Sequence, residues 1–449
     1  MLSPADFGLV AMIAVFVTLG NLLRDFGMPM AALQSPNLNH QQASNLFWVN
    51  TGLATSAAAL LAAATPAVVT LYSEPRLAGV APVMALIILI GGIGSQIQVD
   101  LARRMRFVAI VASEVGGQAL GLGVAVASAA AGFGYWALVA QGLVAAVSTL
   151  VARWALSRWA PTRFRRGYGS MSIIRAGFHY GAAYLLSFLQ SNADTLLIGA
   201  LQGATPLGYY NRAYQIFTAP ASRLMDPLTQ VVVPMLNGAR EEGRSTSAIL
   251  LKVEFIVGSA VVAVFATVGA AAPQLVPVVL GPGWGPTIAV FQILALGGCL
   301  WVFNHVSYWV FITKGLSAEL LHYNLVSKPV AVAFLAVGAF GGIQGVAWGY
   351  VAGMAFSWPL NLFWLTRAAH LPWQGFLRNG LLALSGGAIG AIATAAVCRV
   401  LEDAVPLVAG LLGVLAGLVG MLIWLLILPA SRVQLRDAKA LIRARRSDG

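Results

Sequence analysis

The stretch RLAGVAPVMALIILIGGIGSQIQV, residues 76–99, carries one charged side chain, Arg76, at its first position. The apolar run that follows is long enough to cross the hydrocarbon core of a bilayer, which takes about 20 residues in a helix. Backbone amides in hydrocarbon must find partners within the protein, and these residues do not alternate between apolar and polar as barrel strands do. The stretch therefore predicts a membrane-spanning helix.

The same pattern recurs along the whole chain. Of its 449 residues, 59% are hydrophobic and 9% are charged, whereas a soluble domain carries about 25% charged residues. We therefore predict an all-α polytopic membrane protein with about 13 transmembrane helices. The predicted segments are 6–33, 43–72, 76–99, 107–131, 134–157, 173–201, 206–236, 248–280, 285–313, 316–338, 343–367, 376–400 and 404–429.

Basic residues occupy every second connection between these segments, and they also occupy the C-terminal tail. The positive-inside rule places that side, including the C-terminus, in the cytoplasm. An odd number of spans then puts Met1 outside, although no basic signal-peptide region precedes the first span. We therefore expect that one helix is missing before Met1, through a misassigned start codon or a truncation.

Three pairs of stretches in the two halves of the chain match in order, at offsets of about 200 to 210 residues. FGLVAMI (7–13) resembles LGYYNRA (207–213), LIGGIGSQIQ (89–98) resembles LALGGCLWVF (294–303), and GFGYWALV (132–139) resembles GIQGVAWG (342–349). Matched segments lie six spans apart, so they share one orientation, which predicts a parallel repeat. The counterpart of segment 173–201 would precede the first span, which again indicates a missing helix.

Several stretches also carry a family resemblance: LSPADFGLVAM (2–12), RDFGMPMAALQ (24–34), RRMRFVAIVASE (103–114), GYWALVAQ (134–141), NADTLLIG (192–199) and LGYYNRAYQIF (207–217). In these the chain resembles bacterial polysaccharide exporters and O-antigen flippases of the multidrug/oligosaccharidyl-lipid/polysaccharide exporter superfamily. The resemblance implies two six-helix lobes around a central cavity, often with two further helices. It also implies movement of undecaprenyl-diphosphate-linked oligosaccharide across the cytoplasmic membrane by alternating access.

The repeat and the resemblance together predict the organisation of the chain. We expect an N-terminal lobe of five spans at 1–160, short by one helix, and a basic cytoplasmic loop at 161–172. A C-terminal lobe of six spans at 173–370 follows, then two extra spans at 371–430 and a basic tail at 431–449. The basic residues of the tail fall on one helical face, which suits anionic lipid headgroups; a merely solvated tail is the alternative.

Charged residues inside the spans are the candidate site residues, because each costs about 2.5–3.5 kcal/mol at mid-membrane. Arg24 could grip a diphosphate, or it could form a helix-end pair with Asp25, although adjacent side chains point about 100° apart. Arg212 presents paired donors that match phosphate oxygens, and Tyr209 and Tyr210 could contact sugar rings. Alternatively, these tyrosines belong to the interfacial belt and Arg212 snorkels outward.

Arg223 and Lys328 complete the predicted substrate-binding set. Arg223 lies three residues before Asp226, so a salt bridge within the helix is the structural alternative. Lys328 precedes Pro329 and could line a cavity beside a kink, or snorkel toward the interface.

Asp194 and Glu114 are interpreted as lone carboxylates that could bind a coupling H⁺ or Na⁺. A hydrogen-bonded structural role is the alternative for each. Cys299 and Cys398 lie in apolar segments without metal-ligand spacing, so we expect no metal and no cofactor apart from a coupling ion.

Other functions are less compatible with the sequence. A membrane glycosyltransferase or polymerase would need a catalytic loop, but the outward connections are short and HExxH, CxxC and a complete GxGxxG are missing. We therefore do not expect an enzyme. A cation-coupled multidrug exporter of the same superfamily and a nonfunctional remnant remain alternatives. The expected partners are a lipid-linked oligosaccharide, anionic lipids and a polysaccharide polymerase or other assembly proteins, but no nucleic acid.

Overall fold

The computed structural model describes residues 2–25, 28–35, 38–165, 188, 190–242, 245–429 and 431–432. Within these ranges the regular structure is helical throughout, in agreement with the predicted all-α class. The chain divides into unit 1, Met1–Asn211, and unit 2, Arg212–Gly449. The predicted boundaries of lobes, loop and tail remain predictions. Residues 166–172 of the predicted loop and nearly all of the tail at 431–449 lie outside the described residues.

Unit 1 contains eight helices and the first part of a ninth. They are α1 (Pro4–Asp25), α2 (Met28–Gln34), α3 (His40–Ala63), α4 (Thr65–Tyr72), α5 (Leu77–Arg103), α6 (Phe107–Ala130), α7 (Trp136–Ser157), α8 (190–202) and the start of α9 (Ala204–Glu241). Within the unit, α3 packs on α5, α5 on α7, and α6 on α7.

Unit 2 continues α9 and adds seven further α-helices. They are α10 (Thr246–Ala270), α11 (Ala272–Leu280), α12 (Gly285–Thr313), α13 (Ser317–Gly338), α14 (Gly342–Ala369), α15 (Trp373–Val400) and α16 (Pro406–Ile427). Here α10 packs on α12, α12 on α14, and α13 on α14, while α15 packs on α10 and α16. The described part of the chain contains 10 apolar stretches long enough to cross a membrane, and one of these, Ala318–Ala369, includes both α13 and α14.

The order of helices in unit 1 recurs in unit 2. Segment 43–72 is broken into α3 and α4 where Pro66 begins a new helix, and segment 248–280 is broken into α10 and α11 where Pro273 does the same. Proline favours the first turn of a helix because its missing N–H has no intrahelical acceptor there. The two breaks lie about 207 residues apart, which is the offset of the predicted repeat.

Basic side chains of the predicted cytoplasmic connections cap the C-terminal carbonyls of helices. The last turn of a helix leaves its C=O groups without intrahelical donors, and a cation also favours the negative end of the helix dipole. The pattern occurs in both units: Arg103 Nη1 donates to Ala32 O (2.9 Å), Arg106 Nη1 to Leu156 O (2.7 Å), Arg240 Nη1 to Thr313 O (3.1 Å) and Lys314 Nζ to Ala369 O (2.8 Å).

The chain after α7 is bound to α3 as far as residue 165. Gln41 Nε2 donates to Arg163 O at 2.8 Å, Asn45 Nδ2 donates to Arg165 O at 2.7 Å, and Trp48 Nε1 donates to Thr162 O at 2.8 Å. These bonds attach the start of the predicted basic loop to α3 of unit 1.

Glycines allow two close helix approaches in unit 1. A Cβ on Gly8 would overlap the carbonyl oxygen of Ala204, and a Cβ on Gly208 would overlap that of Pro4. The contact between α1 and the start of α9 is therefore reciprocal, and it involves the two glycines that the sequence repeat aligns. In α6, a Cβ on Gly117 would stand 2.9 Å from Ala145 O of α7.

Candidate functional site

Arg24, near the end of α1, forms a bidentate ion pair with its neighbour Asp25. Its Nη2 lies 2.6 Å from Asp25 Oδ2 and its Nε lies 2.9 Å from Oδ1, while Nη1 donates to Asn21 Oδ1 at 2.9 Å. This is the helix-end pair that the sequence offered as the alternative for Arg24. The two side chains leave the helix in different directions, and the long arginine side chain bends back to its neighbour. The Arg24 side chain is 11% exposed and that of Asp25 is 35% exposed.

The glycine pair Gly91-Gly92 of α5 makes room for this guanidinium. A Cβ on Gly91 would overlap Arg24 Nη1, and a Cβ on Gly92 would stand 3.2 Å from Arg24 Cδ. Ser95, one turn further along α5, donates to Asp25 Oδ1 at 3.4 Å and accepts from Asn50 Nδ2 of α3 at 3.3 Å. Three helices of unit 1 therefore hold one buried polar network around Arg24.

The matching glycine pair of unit 2 has a different environment. A Cβ on Gly297 would stand 2.7 Å from the ring of Tyr350, and a Cβ on Gly298 would stand 2.5 Å from the ring of Phe217 and 2.9 Å from that of Phe265. Aromatic rings thus occupy in unit 2 the place that a guanidinium occupies in unit 1. The repeat preserves the helices but not the chemistry on their surfaces.

Glu114 is not the lone carboxylate that the sequence predicted. Its Oε1 lies 2.5 Å from Arg153 Nη2 of α7, and the Glu114 side chain is 49% exposed, whereas that of Arg153 is 12% exposed. Arg153 and Arg24 are close enough for their charges to interact. Unit 1 therefore brings together two guanidinium groups and two carboxylates, and we call Arg24, Asp25, Glu114 and Arg153 the arginine cluster.

Sequence reasoning missed Arg153 as a member of this cluster because it counted the residue with the basic connection that follows segment 134–157, although the position lies within that segment. In the structure Arg153 lies within α7, about one turn before the helix ends at Ser157. Glu114 lies about two turns after α6 begins at Phe107. Because α6 and α7 are antiparallel neighbours, these two positions come level with one another. The predicted spans give that level, but they do not give which faces of the two helices meet.

Asp194 and Tyr210, two of the predicted site residues, contact each other. The Tyr210 hydroxyl donates to Asp194 Oδ2 at 2.9 Å, and the backbone N–H of Thr195 donates to Oδ1 at 2.7 Å. Asp194 is 5% exposed and Tyr210 is 1% exposed. The tyrosine is therefore a buried partner of the carboxylate, which ties α8 to α9 within unit 1.

Arg212, Tyr209, Lys328 and Arg223 complete the set of predicted site residues. Arg212, half-buried on α9, donates from Nη1 to Gln215 Oε1 at 2.8 Å. Tyr209 is half-buried on α9, and Lys328 is half-buried on α13 directly before Pro329. Arg223 lies in α9, but its side chain and that of Asp226 are outside the described residues, so their predicted salt bridge stays a prediction.

Glu254 of α10 is a buried carboxyl that sequence reasoning missed. It is 1% exposed, and the amide of Asn379 on α15 donates to it. Its second oxygen, Oε2, has no hydrogen-bond partner within the described ranges. Sequence reasoning counted Lys252, two residues earlier, with a basic connection and did not single out Glu254, yet positions two apart on a helix point to nearly opposite faces.

Unit 2 also contains an apolar cavity of about 550 Å³. It lies between α10, α12 and α15 and is lined by residues such as Val262, Phe265, Leu296 and Leu384, with Gln292 as a polar member. Walls of this composition accept hydrocarbon and offer little to a sugar or a phosphate. No group of three or more metal-ligating side chains occurs among the residues that the structure describes.

Comparisons with known proteins match the chain to one family. A family model described as "Polysaccharide biosynthesis protein" matches residues 1–289. The teichuronic acid biosynthesis protein TuaB of Bacillus subtilis is 26% identical over 340 residues, which cover 73% of this chain and 69% of that protein. The succinoglycan biosynthesis transport protein ExoT of Rhizobium meliloti is 25% identical over 353 residues, covering 78% and 71% respectively.

A solved structure has the same fold. The lipid II flippase MurJ, in an inward closed conformation, superposes with a TM-score of 0.71 at 11% sequence identity, over 94% of this chain and 92% of that one. At this identity the likeness concerns the fold alone. It confirms the predicted class of polytopic helical membrane protein.

Proposed function

Because the chain belongs to the polysaccharide biosynthesis protein family, we propose that it is a flippase for polyprenyl-diphosphate-linked oligosaccharide. In this proposal it moves its substrate by alternating access across the bacterial cytoplasmic membrane, with its C-terminus in the cytoplasm. The relatives described as acting in teichuronic acid and succinoglycan biosynthesis support the substrate class. A polysaccharide polymerase or other assembly proteins and anionic lipids are the proposed partners.

The arginine cluster is the observation that carries the proposal. A diphosphate group bears the charge and the paired oxygens that guanidinium groups bind best. Arg24 is held in place by Asn21 and by the space over Gly91, while the more exposed Asp25 covers its outer side. An arriving phosphate would replace the Asp25 carboxylate on Nε and Nη2, with Arg153 supplying a second positive charge nearby.

The apolar cavity of unit 2 supports the proposal that the substrate carries a lipid. A polyprenyl tail gains about 25 cal/mol for each Å² of apolar surface removed from water, so it stays in an apolar environment throughout transport. The cavity lined by Val262, Leu296 and Leu384 offers such an environment on unit 2. Arg212, Arg223, Lys328, Tyr209 and Tyr210 remain predicted substrate contacts, and Asp194 and Glu114 remain predicted ion-coupling residues.

The test is export of polymer in cells whose own flippase has been deleted and replaced by this chain. We expect Arg24→Gln to reduce export by about 10- to 100-fold, since a hydrogen bond to a charged group contributes about 1.5–3 kcal/mol. Arg104→Gln is the matched control, because Arg104 is 53% exposed and pairs with Asp100 one turn away. Normal export by Arg24→Gln at normal protein level would contradict the proposal. Unchanged export by Arg212→Ala would assign Arg212 a structural role.

The multidrug exporter is the second candidate function. It predicts that expression of the chain protects a drug-sensitive strain from cationic compounds, whereas the flippase predicts no protection. The arginine cluster pairs two guanidinium groups with two carboxylates, so its net charge favours neither substrate and the two assays decide between them.

A further inference from the structure

The carboxyl of Glu254 lies in a closely packed layer of unit 2. Gly258, one turn further along α10, allows the ring of Phe303 on α12 to lie against the helix backbone. Phe303 stacks on Trp358 of α14, with ring centroids 5.0 Å apart, and the Trp358 ring occupies the space beside Gly380 of α15. Helices α10, α12, α14 and α15 therefore pack together about one turn from Glu254.

The partners of Glu254 are amide and apolar groups. Asn379 is fully buried; its Nδ2 donates to Leu251 O at 2.9 Å, and its amide also donates to Glu254. Within the described ranges, Glu254 Oε2, Asn379 Oδ1 and Trp358 Nε1 have no hydrogen-bond partner. An ionised carboxylate without a cation in such a place would cost several kcal/mol, so neutralisation is the physical requirement.

No charged residue described on the surrounding helices neutralises it. None of the ion pairs among the described residues includes Glu254. The helices packed on α10 are α11, α12, α15 and α16, and α14 reaches the layer through Trp358. The charged or titratable residues of α10, α12, α14 and α15 are Lys252, Cys299, His305, Tyr308, Tyr350, Arg367, Arg378, Cys398 and Arg399, whereas α11 and α16 have none.

We propose that Glu254 is a proton-binding site of unit 2, and that this proton, rather than an ion at the sequence-predicted Asp194 or Glu114, is coupled to transport; the second clause rests on the proposed function. With α10 and α15 packed together the carboxyl is a neutral acid, and Oε2 becomes a donor beside the Asn379 amide. When the two helices separate and water enters, the acid releases its proton to water and the carboxylate is solvated. A proton fits better than Na⁺, since Na⁺ requires a cage of several oxygens and the carboxyl contacts a single amide among the described groups.

Infrared spectroscopy of the full chain in lipid nanodiscs, without substrate, tests whether Glu254 binds a proton. A protonated carboxyl absorbs at a different frequency from carboxylates and amides. The spectrum of the wild type minus that of Glu254→Gln should therefore show one such band at neutral pH, and the band should shift in D₂O. Asn379→Leu removes the bonding amide and should move the same band, which keeps the assignment testable if Glu254→Gln does not fold. A missing band, a band that never shifts in D₂O, or loss of the band on adding Na⁺ at constant pH would each overturn the proposal.

Polymer export tests the coupling. We expect Glu254→Gln, which keeps the shape and removes the titration, to reduce export by about 5- to 150-fold, the range of typical coupling between sites. Glu319→Gln is the matched control in unit 2, because Glu319 Oε2 accepts from Trp364 Nε1 at 2.7 Å and an amide oxygen can do the same. Wild-type export by Glu254→Gln would overturn the coupling. If the wild-type chain exports no polymer, the proposed function fails while the infrared result still decides whether Glu254 binds a proton.

Discussion

Replacing Tyr210 with phenylalanine should destabilise unit 1, because it removes the hydroxyl that donates to Asp194 at 2.9 Å. Asp194 is 5% exposed, so a phenylalanine ring in place of Tyr210 would leave no route for water to replace the lost donor. Hydrogen bonds between membrane helices average about 0.6 kcal/mol and reach about 1.7 kcal/mol. We therefore expect a loss of about 0.6–1.7 kcal/mol, or about 3- to 20-fold in the unfolding equilibrium.

The chain contains a matched control for this change. Tyr72, at the end of α4 in the same unit, is 4% exposed, and its hydroxyl has no hydrogen-bond partner among the residues that the structure describes. Tyr72→Phe deletes the same atom from an equally buried ring, so its free energy of unfolding should stay within about 0.5 kcal/mol of wild type. Reversible unfolding in mixed detergent micelles measures both variants under one condition.

A double-mutant cycle then assigns the loss to the pair. If Tyr210 acts through Asp194, the cost of Tyr210→Phe should fall when Asp194 is already asparagine, and the coupling energy should approach the single-mutant cost. Equal unfolding free energies for Tyr210→Phe and Tyr72→Phe would refute the reasoning, and so would a coupling energy near zero.

Two further predictions concern packing and surface charge. Gly117→Ala should lower the free energy of unfolding by about 1–3 kcal/mol, because the new methyl meets the backbone of α7; Gly116→Ala, with open space around it, should be neutral or stabilising in the same denaturation assay. The hydrogen bond from Arg76 lowers the pKa of Glu74 in the α4–α5 turn. At neutral pH the free energy of unfolding of the wild type should therefore exceed that of Glu74→Gln by at most about 1 kcal/mol. This advantage should disappear as the pH falls below about 4.3 and through the lowered pKa, and an unchanged difference at low pH would contradict it.

The helices themselves were predictable because the bilayer leaves few choices. A long apolar segment must satisfy its backbone groups internally, so length and composition identify a span without knowledge of its neighbours. The breaks at Pro66 and Pro273 are equally local, since each proline begins a new helix whatever surrounds it. The recurrence of these breaks after about 207 residues then made the duplication visible in the structure as well as in the sequence.

Partners of buried polar groups were not predictable from positions along the chain. Asp194 meets Tyr210 from the next helix, and Glu114 meets Arg153 from the neighbouring one, yet the sequence treated the two carboxylates as lone groups. Pairing depends on which faces of two helices meet and on how far a side chain reaches. Arg24 shows the second factor, because its length brings it onto Asp25 despite their divergent positions on the helix.

Glu254 shows why a buried charge can be overlooked next to a basic residue. Sequence reasoning counted Lys252 with the basic connection at the start of the predicted span 248–280, and it did not single out Glu254 inside that span. On a helix, however, two residues correspond to a rotation of about 200°, so one position can face the interface while the other faces the interior. A carboxyl two residues inside such a boundary, on the face that continues into Gly258 and Val262, is therefore a candidate for burial whatever its neighbour suggests. Applied to the sequence of this chain, that rule places Glu254 beside Asp194 among the carboxylates to test.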